Sequence, residues 1–244
     1  MTSSSLSPLT PPPSGDAAAS LPWTVSVQIR KTLRSPDRVF ELDVAFDWQG
    51  TRLVLFGPSG AGKTMTLAAI AGLLRPDAGR ITINGQTVFD TERNIWIAPR
   101  HRHLAYLFQD YALFPHLTVR QNIAFGLHRG PLNPSRRARD PLVDEWLEAL
   151  ELRSVAQQFP AQLSGGQKQR TALARALATQ PRLILLDEPF AALDVALRAR
   201  MRTQLLALQA RVATPMLLIT HDPDDLASFG DRVVELRDGR VIGA

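Results

Sequence analysis

Cysteine is absent from the 244 residues, which excludes disulfides, thiolate zinc sites and cysteine nucleophiles and suits a reducing cytoplasm. No run of about 18 apolar residues occurs, so nothing reads as a helical membrane span, and any link to a membrane has to come through a partner. Residues 1–20 hold four prolines, six serines and a single charge, Asp16. They lack both the basic start and the apolar stretch of a secretory signal, and their composition predicts a disordered tail. No charge of one sign dominates: 28 Lys and Arg against 23 Asp and Glu leave a formal +5. The basic residues are scattered apart from Arg136-Arg137-Ala138-Arg139, which reads as a solvated linker, so charge gives no argument for a nucleic-acid partner. No internal repeat is present. Hydrophobic content of 45% and charged content of 21% are ordinary globular values. The length allows one large α/β domain, alone or with a small satellite.

What is present is organised around Gly57-Pro58-Ser59-Gly60-Ala61-Gly62-Lys63-Thr64, the P-loop spacing, set between an apolar strand over Arg52 to Phe56 and a helix predicted from Lys63 to Leu74. Glycines at 57, 60 and 62 permit positive φ and bring bare N–H groups against phosphate oxygens. The helix starting near Gly62 points its positive dipole end at the same charge. Lys63 has the reach for β- and γ-phosphates, and the Thr64 hydroxyl suits Mg²⁺.

Trp23, Val25, Val27 and Ile29, then Phe40, Leu42, Val44 and Phe46, alternate as two antiparallel strands ahead of the P-loop. A turn over residues 75–79 leads into a strand at Arg80 to Ile83 and a hairpin at Asn84-Gly85. His103 to Phe108 is a further apolar run. Val143, Trp146, Leu147 and Leu150 form one buried stripe of a helix, which makes Trp146 a core residue. From Gln167 onward helix and strand alternate, with strands at Arg182 to Leu186, Met216 to Thr220 and Val233 to Leu236. Helices are expected at Gln167 to Ala178, Val195 to Arg211 and Pro223 to Phe229. This order predicts a parallel sheet covered on both faces, whose ligand lies at the strands' carboxyl ends.

Two further stretches carry chemistry. Leu183-Ile184-Leu185-Leu186-Asp187-Glu188 is a buried strand ending in two carboxylates, the Walker B pattern; Asp187 suits a role at Mg²⁺ and Glu188 could polarise an attacking water. Leu163-Ser164-Gly165-Gly166-Gln167 opens a helix with Ser164 as N-cap and two glycines exposing backbone N–H groups, a second anion site.

LSGGQ between a P-loop and a Walker B strand resembles the signature motif of ABC-type ATPases, and the resemblance runs from about Val25 to the end. It implies a P-loop core with a parallel sheet, an N-terminal antiparallel β subdomain and a helical signature subdomain over about 110–165, within one domain spanning 21–244. It extends the ATP-binding set to Thr66. It makes Gln109 the Q-loop glutamine that contacts Mg²⁺ and the attacking water and senses a membrane partner, and His221 the switch histidine that touches the γ-phosphate. Ala191-Ala192-Leu193-Asp194 resembles the D-loop, with Ala191 in place of a common Ser. It further implies a head-to-tail dimer of two copies, ATP lying between one P-loop and the other copy's Ser164, Gly165, Gly166 and Gln167. The aromatic residue that commonly stacks on adenine has no counterpart in Lys31-Thr32-Leu33-Arg34, which leaves Leu33 or Phe40 for that place.

Pro99-Arg100-His101-Arg102, the run from Leu107 to Val119 and Asn122 to Leu127 are similar to ATP-binding subunits of importers for molybdate, sulfate, iron(III), polyamines and sugars. Phe89-Asp90-Thr91-Glu92 and Ile95 to Pro99 resemble the molybdate branch most. The implied assembly is peripheral to the cytoplasmic face of the membrane, with permease subunits bound on the Tyr111 to Val119 stretch, through Leu113, Phe114 and Leu117, unless that apolar run is ordinary core, and with a substrate-binding protein acting indirectly. Relatives in that branch continue into an oxyanion-binding regulatory domain, which is not expected with Ala244 as the last residue. A soluble ABC ATPase acting on DNA or ribosomes is the alternative of another class. Gln109 and Ser164 are too close for the long coiled coil of the repair type, and only one cassette is present, whereas the translation type has two. A GTPase would require an Asn-Lys-x-Asp motif, which is missing.

Overall fold

The computed structural model describes residues 23–243 except 37, 129–131, 137–139, 192 and 213, with the side chains of 38, 211 and 212 also left out. The tail expected over 1–20, residues 137–139 of the basic cluster and Ala192 therefore lie outside the described residues.

Alternation shapes the first strands. Val25, Val27 and Ile29 are buried while Thr24, Ser26 and Gln28 face outward along β1 (Thr24–Ser35), and β2 (Arg38–Gln49) returns antiparallel with Leu33 opposite Phe40. β3 (Arg52–Phe56) then runs into the P-loop and α1 (Lys63–Ala71). α1 stops short of Leu74 because Gly72 adopts φ +81° and turns its N–H back onto the last turn's carbonyls. β4 (Ala78–Ile83) pairs with both β1 and β5 (Gln86–Asp90), and the short β6 (Ile95–Trp96) closes that edge.

The second half follows the expected alternation: β7 (Leu104–Leu107), α2 (Val119–Phe125), α3 (Pro141–Ala149), α4 (Gly165–Ala178), β8 (Leu183–Asp187), α5 (Val195–Val212), β9 (Met216–Thr220), α6 (Pro223–Phe229), β10 (Arg232–Arg237) and β11 (Arg240–Gly243). The described strands form one sheet in the order β6-β5-β4-β1-β2-β11-β10-β3-β9-β8-β7. The block β10-β3-β9-β8-β7 is parallel throughout. The sheet as a whole is mixed, since β11 lies antiparallel to β10 and parallel to β2, which joins the antiparallel arm to the parallel block.

Burial on both faces follows from the strand period of two. Val54, Ile184, Leu186, Met216 and Leu218 enter one core with α2 to α5, and Trp146 packs there as expected, 7% exposed. Their neighbours Leu53, Leu55, Leu183, Leu185, Leu217 and Ile219 enter the other, with Leu67 and Ile70 of α1 and the inner face of β1, β2 and β4. α1 is thereby enclosed between the parallel block and the antiparallel arm. Its first turn is held at the carboxyl ends of β3, β8 and β9.

Candidate functional site

The loop between β3 and α1 depends on close backbone approach. A Cβ at Gly57 would lie 2.1 Å from the Leu236 carbonyl of β10, and one at Gly62, where φ is +98°, would lie 2.5 Å from Leu42 of β2. Side chains are excluded at both ends of the turn, so β10 and β2 close over it. Lys63, 4% exposed, folds back across the loop and donates to the carbonyls of Gly57 (2.8 Å) and Pro58 (2.9 Å). Burial pulls its ammonium below the ordinary lysine range, while the charges of Glu188 and Asp187 act in the opposite direction.

β8 delivers the carboxylates. Asp187, 5% exposed, accepts from the Thr64 hydroxyl at 3.0 Å on one oxygen and from the Tyr106 hydroxyl at 2.9 Å on the other. Burial raises its affinity for a proton, and these two hydroxyls oppose that. Burial and the adjacent carboxylate push the Tyr106 phenol far above its ordinary range, so it remains a neutral donor. Glu188 leaves the strand with φ +45°, its N–H donating to the Ile219 carbonyl at 3.2 Å. Its carboxylate lies 3.9 Å from Lys63 Nζ and 3.2 Å from His221 Nδ1. His221 follows β9 and is 57% exposed.

These groups border a cleft of about 370 Å³. Ser59 to Met65 form its floor, Gln109 and Glu188 one side, and Leu33 and Phe40 an apolar wall. The structure thus brings Ser59 to Thr64, Gln109 and Glu188 together in one cleft; Asp187 and His221 do not line it but contact residues that do, Asp187 through Thr64 and His221 through Glu188. Thr66 is placed differently: its side chain is fully buried, and the hydroxyl donates to the Gly62 carbonyl at 3.0 Å within α1.

Ser164, Gly165, Gly166 and Gln167 do not line this cleft. They form the first turn of α4, with Ser164 and Gln167 locked in a reciprocal capping box. The turn packs on the start of α5: a Cβ at Gly166 would lie 3.1 Å from Leu197, and one at Gly165 3.5 Å from Leu193. Asp194, read from sequence only as part of a D-loop, accepts from the Leu197 N–H at 2.9 Å and so caps α5.

The apolar stretch after Gln109 divides. Tyr111 and Leu117 are core residues, 6% and 1% exposed, which corrects the expectation of Leu117 as part of a docking patch. Leu113 and Phe114 are half-buried, and Phe114 packs on the exposed Phe125 with ring centroids 4.2 Å apart. Arg175 of α4 donates to the carbonyls of Ala112 (2.7 Å) and Tyr111 (2.9 Å), both at positive φ.

Sequence reasoning missed two supports. Tyr106 has no local mark, since its partner is 81 positions away. Asp222 fixes the segment carrying His221: it caps α6 and accepts from Arg198, while its N–H donates to Thr220 Oγ1 at 3.0 Å. The Asp-Pro pair at 222–223 was a legible N-cap signal.

Among relatives of known annotation, an iron(III) import ATP-binding protein of Pseudomonas fluorescens is 48% identical over 197 residues, covering 80% of this chain and 53% of its own. A sulfate/thiosulfate import ATP-binding protein of Synechococcus elongatus is 43% identical, covering 88% and 60%. A spermidine/putrescine import ATP-binding protein of Escherichia coli strain K12 is 43% identical, covering 87% and 54%. The chain therefore spans between about half and three-fifths of the length of these relatives. A solved dimeric ATP-binding cassette in a post-hydrolysis state with ADP and Pi superposes with a TM-score of 0.74 at 30% identity, over 90% of this chain and 97% of that one. The family model described as "ABC transporter" matches residues 43–191, from β2 through the P-loop, the LSGGQ turn and the Walker B carboxylates, and the chain belongs to that family.

Proposed function

We propose that this chain is the ATP-hydrolysing subunit of an importer, peripheral to the membrane, working as a head-to-tail pair on permease subunits that receive cargo from a substrate-binding protein. The observation that carries the reading is an incomplete site. One cleft gathers the phosphate cradle, Gln109 and Glu188, whereas the second anion-binding turn, at Ser164 and Gly165, is exposed and lies outside that cleft. A second copy would supply it.

In this reading the N–H groups at the start of α1 and Lys63 hold the β- and γ-phosphates. Thr64 and Asp187 fit Mg²⁺: they present hard oxygens 3.0 Å apart, and among the described residues no group of three acidic or histidine side chains is arranged to hold a metal ion by itself. Such a set suits a cation that takes one or two protein ligands and completes its shell with phosphate and water. When bound, the ion neutralises charge on the phosphates. Glu188 orients and polarises the attacking water, and His221, 3.2 Å away, fixes the carboxylate and faces the γ-phosphate. Gln109 closes the cleft on the same side as Glu188. Leu33, Phe40 and Met65 form an apolar seat for the base, Phe40 taking the place of the stacking aromatic. Phe40→Ala should weaken ATP and ADP binding alike by about tenfold, since stacking on one ring contributes roughly 1–3 kcal/mol. Equilibrium titration checks this, and equal affinities for parent and variant would place the base elsewhere.

For cargo we propose molybdate or a related oxyanion, supported by the resemblance over Phe89 to Glu92 and Ile95 to Pro99. The relatives' names span iron(III), sulfate and polyamines, so alternatives are present within the same family. The test is elemental analysis of cells lacking the chain, grown at limiting molybdate. Loss of molybdenum, restored by excess molybdate, supports the assignment. A fall in iron or sulfur alone moves the chain to another importer branch, and unchanged elements with unchanged polyamine uptake overturn both.

A further inference from the structure

We infer that Tyr106 is a positioning residue for the metal-binding carboxylate of Asp187, an inference that rests on the proposed Mg²⁺–ATP site. Asp187 is almost fully buried and points into a site where both its oxygens are spoken for by neutral hydroxyls. Thr64 donates to Oδ1 at 3.0 Å from the first turn of α1, and Tyr106 donates to Oδ2 at 2.9 Å from β7. The terminal torsion of an aspartate is broad and roughly two-fold, so one donor alone leaves the carboxylate free to rotate. Two donors from two different elements remove that freedom. They fix which oxygen faces Thr64, the other candidate ligand.

The strand geometry explains why a tyrosine does this. β7 and β8 are parallel with Tyr106 opposite Leu185, so Asp187, two residues further along, projects from the same face as Leu185. The diagonal reach from Tyr106 to Asp187 suits a long aromatic side chain, and a serine or threonine at 106 would fall short. Packing alone does not call for the hydroxyl, because the ring already lies against Phe108 with centroids 4.5 Å apart. β7 also leads directly to Gln109, on the wall of the cleft. Tyr106 therefore ties the carboxylate at the end of β8 to the strand that carries Gln109, and sets the distance between the two sides of the cation site.

The experiment uses Tyr106→Phe, which keeps the ring and removes one oxygen. Binding of the non-hydrolysable β,γ-imido analogue of ATP is titrated calorimetrically at a series of Mg²⁺ concentrations and with EDTA, on parent and variant. Loss of an outer-shell partner typically costs 10- to 100-fold in metal affinity, so the Mg²⁺ concentration at half-effect should rise about tenfold while affinity in EDTA stays within about twofold. The EDTA value doubles as the folding control, because a general disturbance of the cleft lowers both. Equal Mg²⁺ dependence in parent and variant overturns the role of Tyr106 and leaves the site assignment intact. A parallel fall with and without Mg²⁺ assigns Tyr106 to packing and also overturns it. A parent whose affinity does not respond to Mg²⁺ removes the proposed cation site and this inference together.

Discussion

Glu188→Gln should bind ATP at least as tightly as the parent and release phosphate at least about a hundredfold more slowly. The substitution keeps the size of the side chain and a carbonyl oxygen that can still accept, but it removes the negative charge and the capacity to take a proton. Positioned general bases contribute about 10²- to 10⁴-fold, and the geometry around Glu188 is that of a group aimed by its surroundings. Its backbone is held at φ +45° by an N–H bond to Ile219, a conformation non-glycine residues seldom adopt without support. Its oxygens stand 3.2 Å from His221 and 3.9 Å from Lys63. Removing a charge beside the triphosphate also lessens repulsion, which is why binding should not weaken. Because ATP would persist, the variant should accumulate as a dimer with nucleotide present, measured by light scattering alongside phosphate release. Hydrolysis at the parental rate would falsify the assigned role. Lost binding would instead make Glu188 a structural support of Lys63.

How far the sequence carried the reading depended on whether a contact was local. α6 was legible to the residue, because Asp222 and Pro223 start it and Gly230 ends it. β9 was equally plain as four apolar residues and a threonine, all buried. The P-loop and the cap at Ser164 are motifs whose hydrogen-bond partners lie a few positions away, and the carboxylates at the end of β8 are marked by the apolar run that precedes them. By contrast, the pairing of β11 with β2 places Arg240 beside Asp43, and no periodicity encodes a partner so distant. The same holds for Tyr106 and Asp187. The segment from Tyr111 to Val119 failed for another reason: it is irregular, with positive φ at Tyr111 and Ala112, so its apolar residues follow neither the helix nor the strand period. That Leu117 is buried while Leu113 and Phe114 are half-exposed could not be read from spacing.

Arg102 shows the same limit with larger energetic consequences. In sequence it is one of four polar or proline residues at 99–102 and looks like surface; in the structure it is 5% exposed. Its guanidinium donates to Ile97 O (2.8 Å), Ala69 O (2.8 Å) and Ile70 O (2.7 Å), with a longer contact to Val88 O at 3.4 Å. It also lies 4.9 Å from the centre of the Trp96 ring, and no carboxylate is paired with it among the described residues. Burial lowers its pKa to about 10, so it is still charged at neutral pH. The favourable counterpart is the carboxyl end of α1, which carries the negative end of the helix dipole and where Arg102 adds a donor to the Ala69 carbonyl beside Gly72 and supplies one to the Ile70 carbonyl. Arg102 thus fastens the far end of the P-loop helix to the antiparallel arm, and Gly72 keeps the space clear, since a Cβ there would lie 2.7 Å from the guanidinium. Arg102→Met should cost about 3 kcal/mol, because each buried carbonyl left without a donor costs roughly 1–3 kcal/mol and relief of the guanidinium's desolvation offsets part of the sum. For a chain of this size that is a fall in melting temperature of about 6–12 °C. Arg102→Lys should recover less than half, since one ammonium cannot reach carbonyls on α1, β5 and the segment before residue 99 together. Urea unfolding decides it: a midpoint shift at unchanged slope confirms the anchoring role, whereas a loss below about 1 kcal/mol in both variants would show that water satisfies those carbonyls and that α1 is held by its apolar face alone.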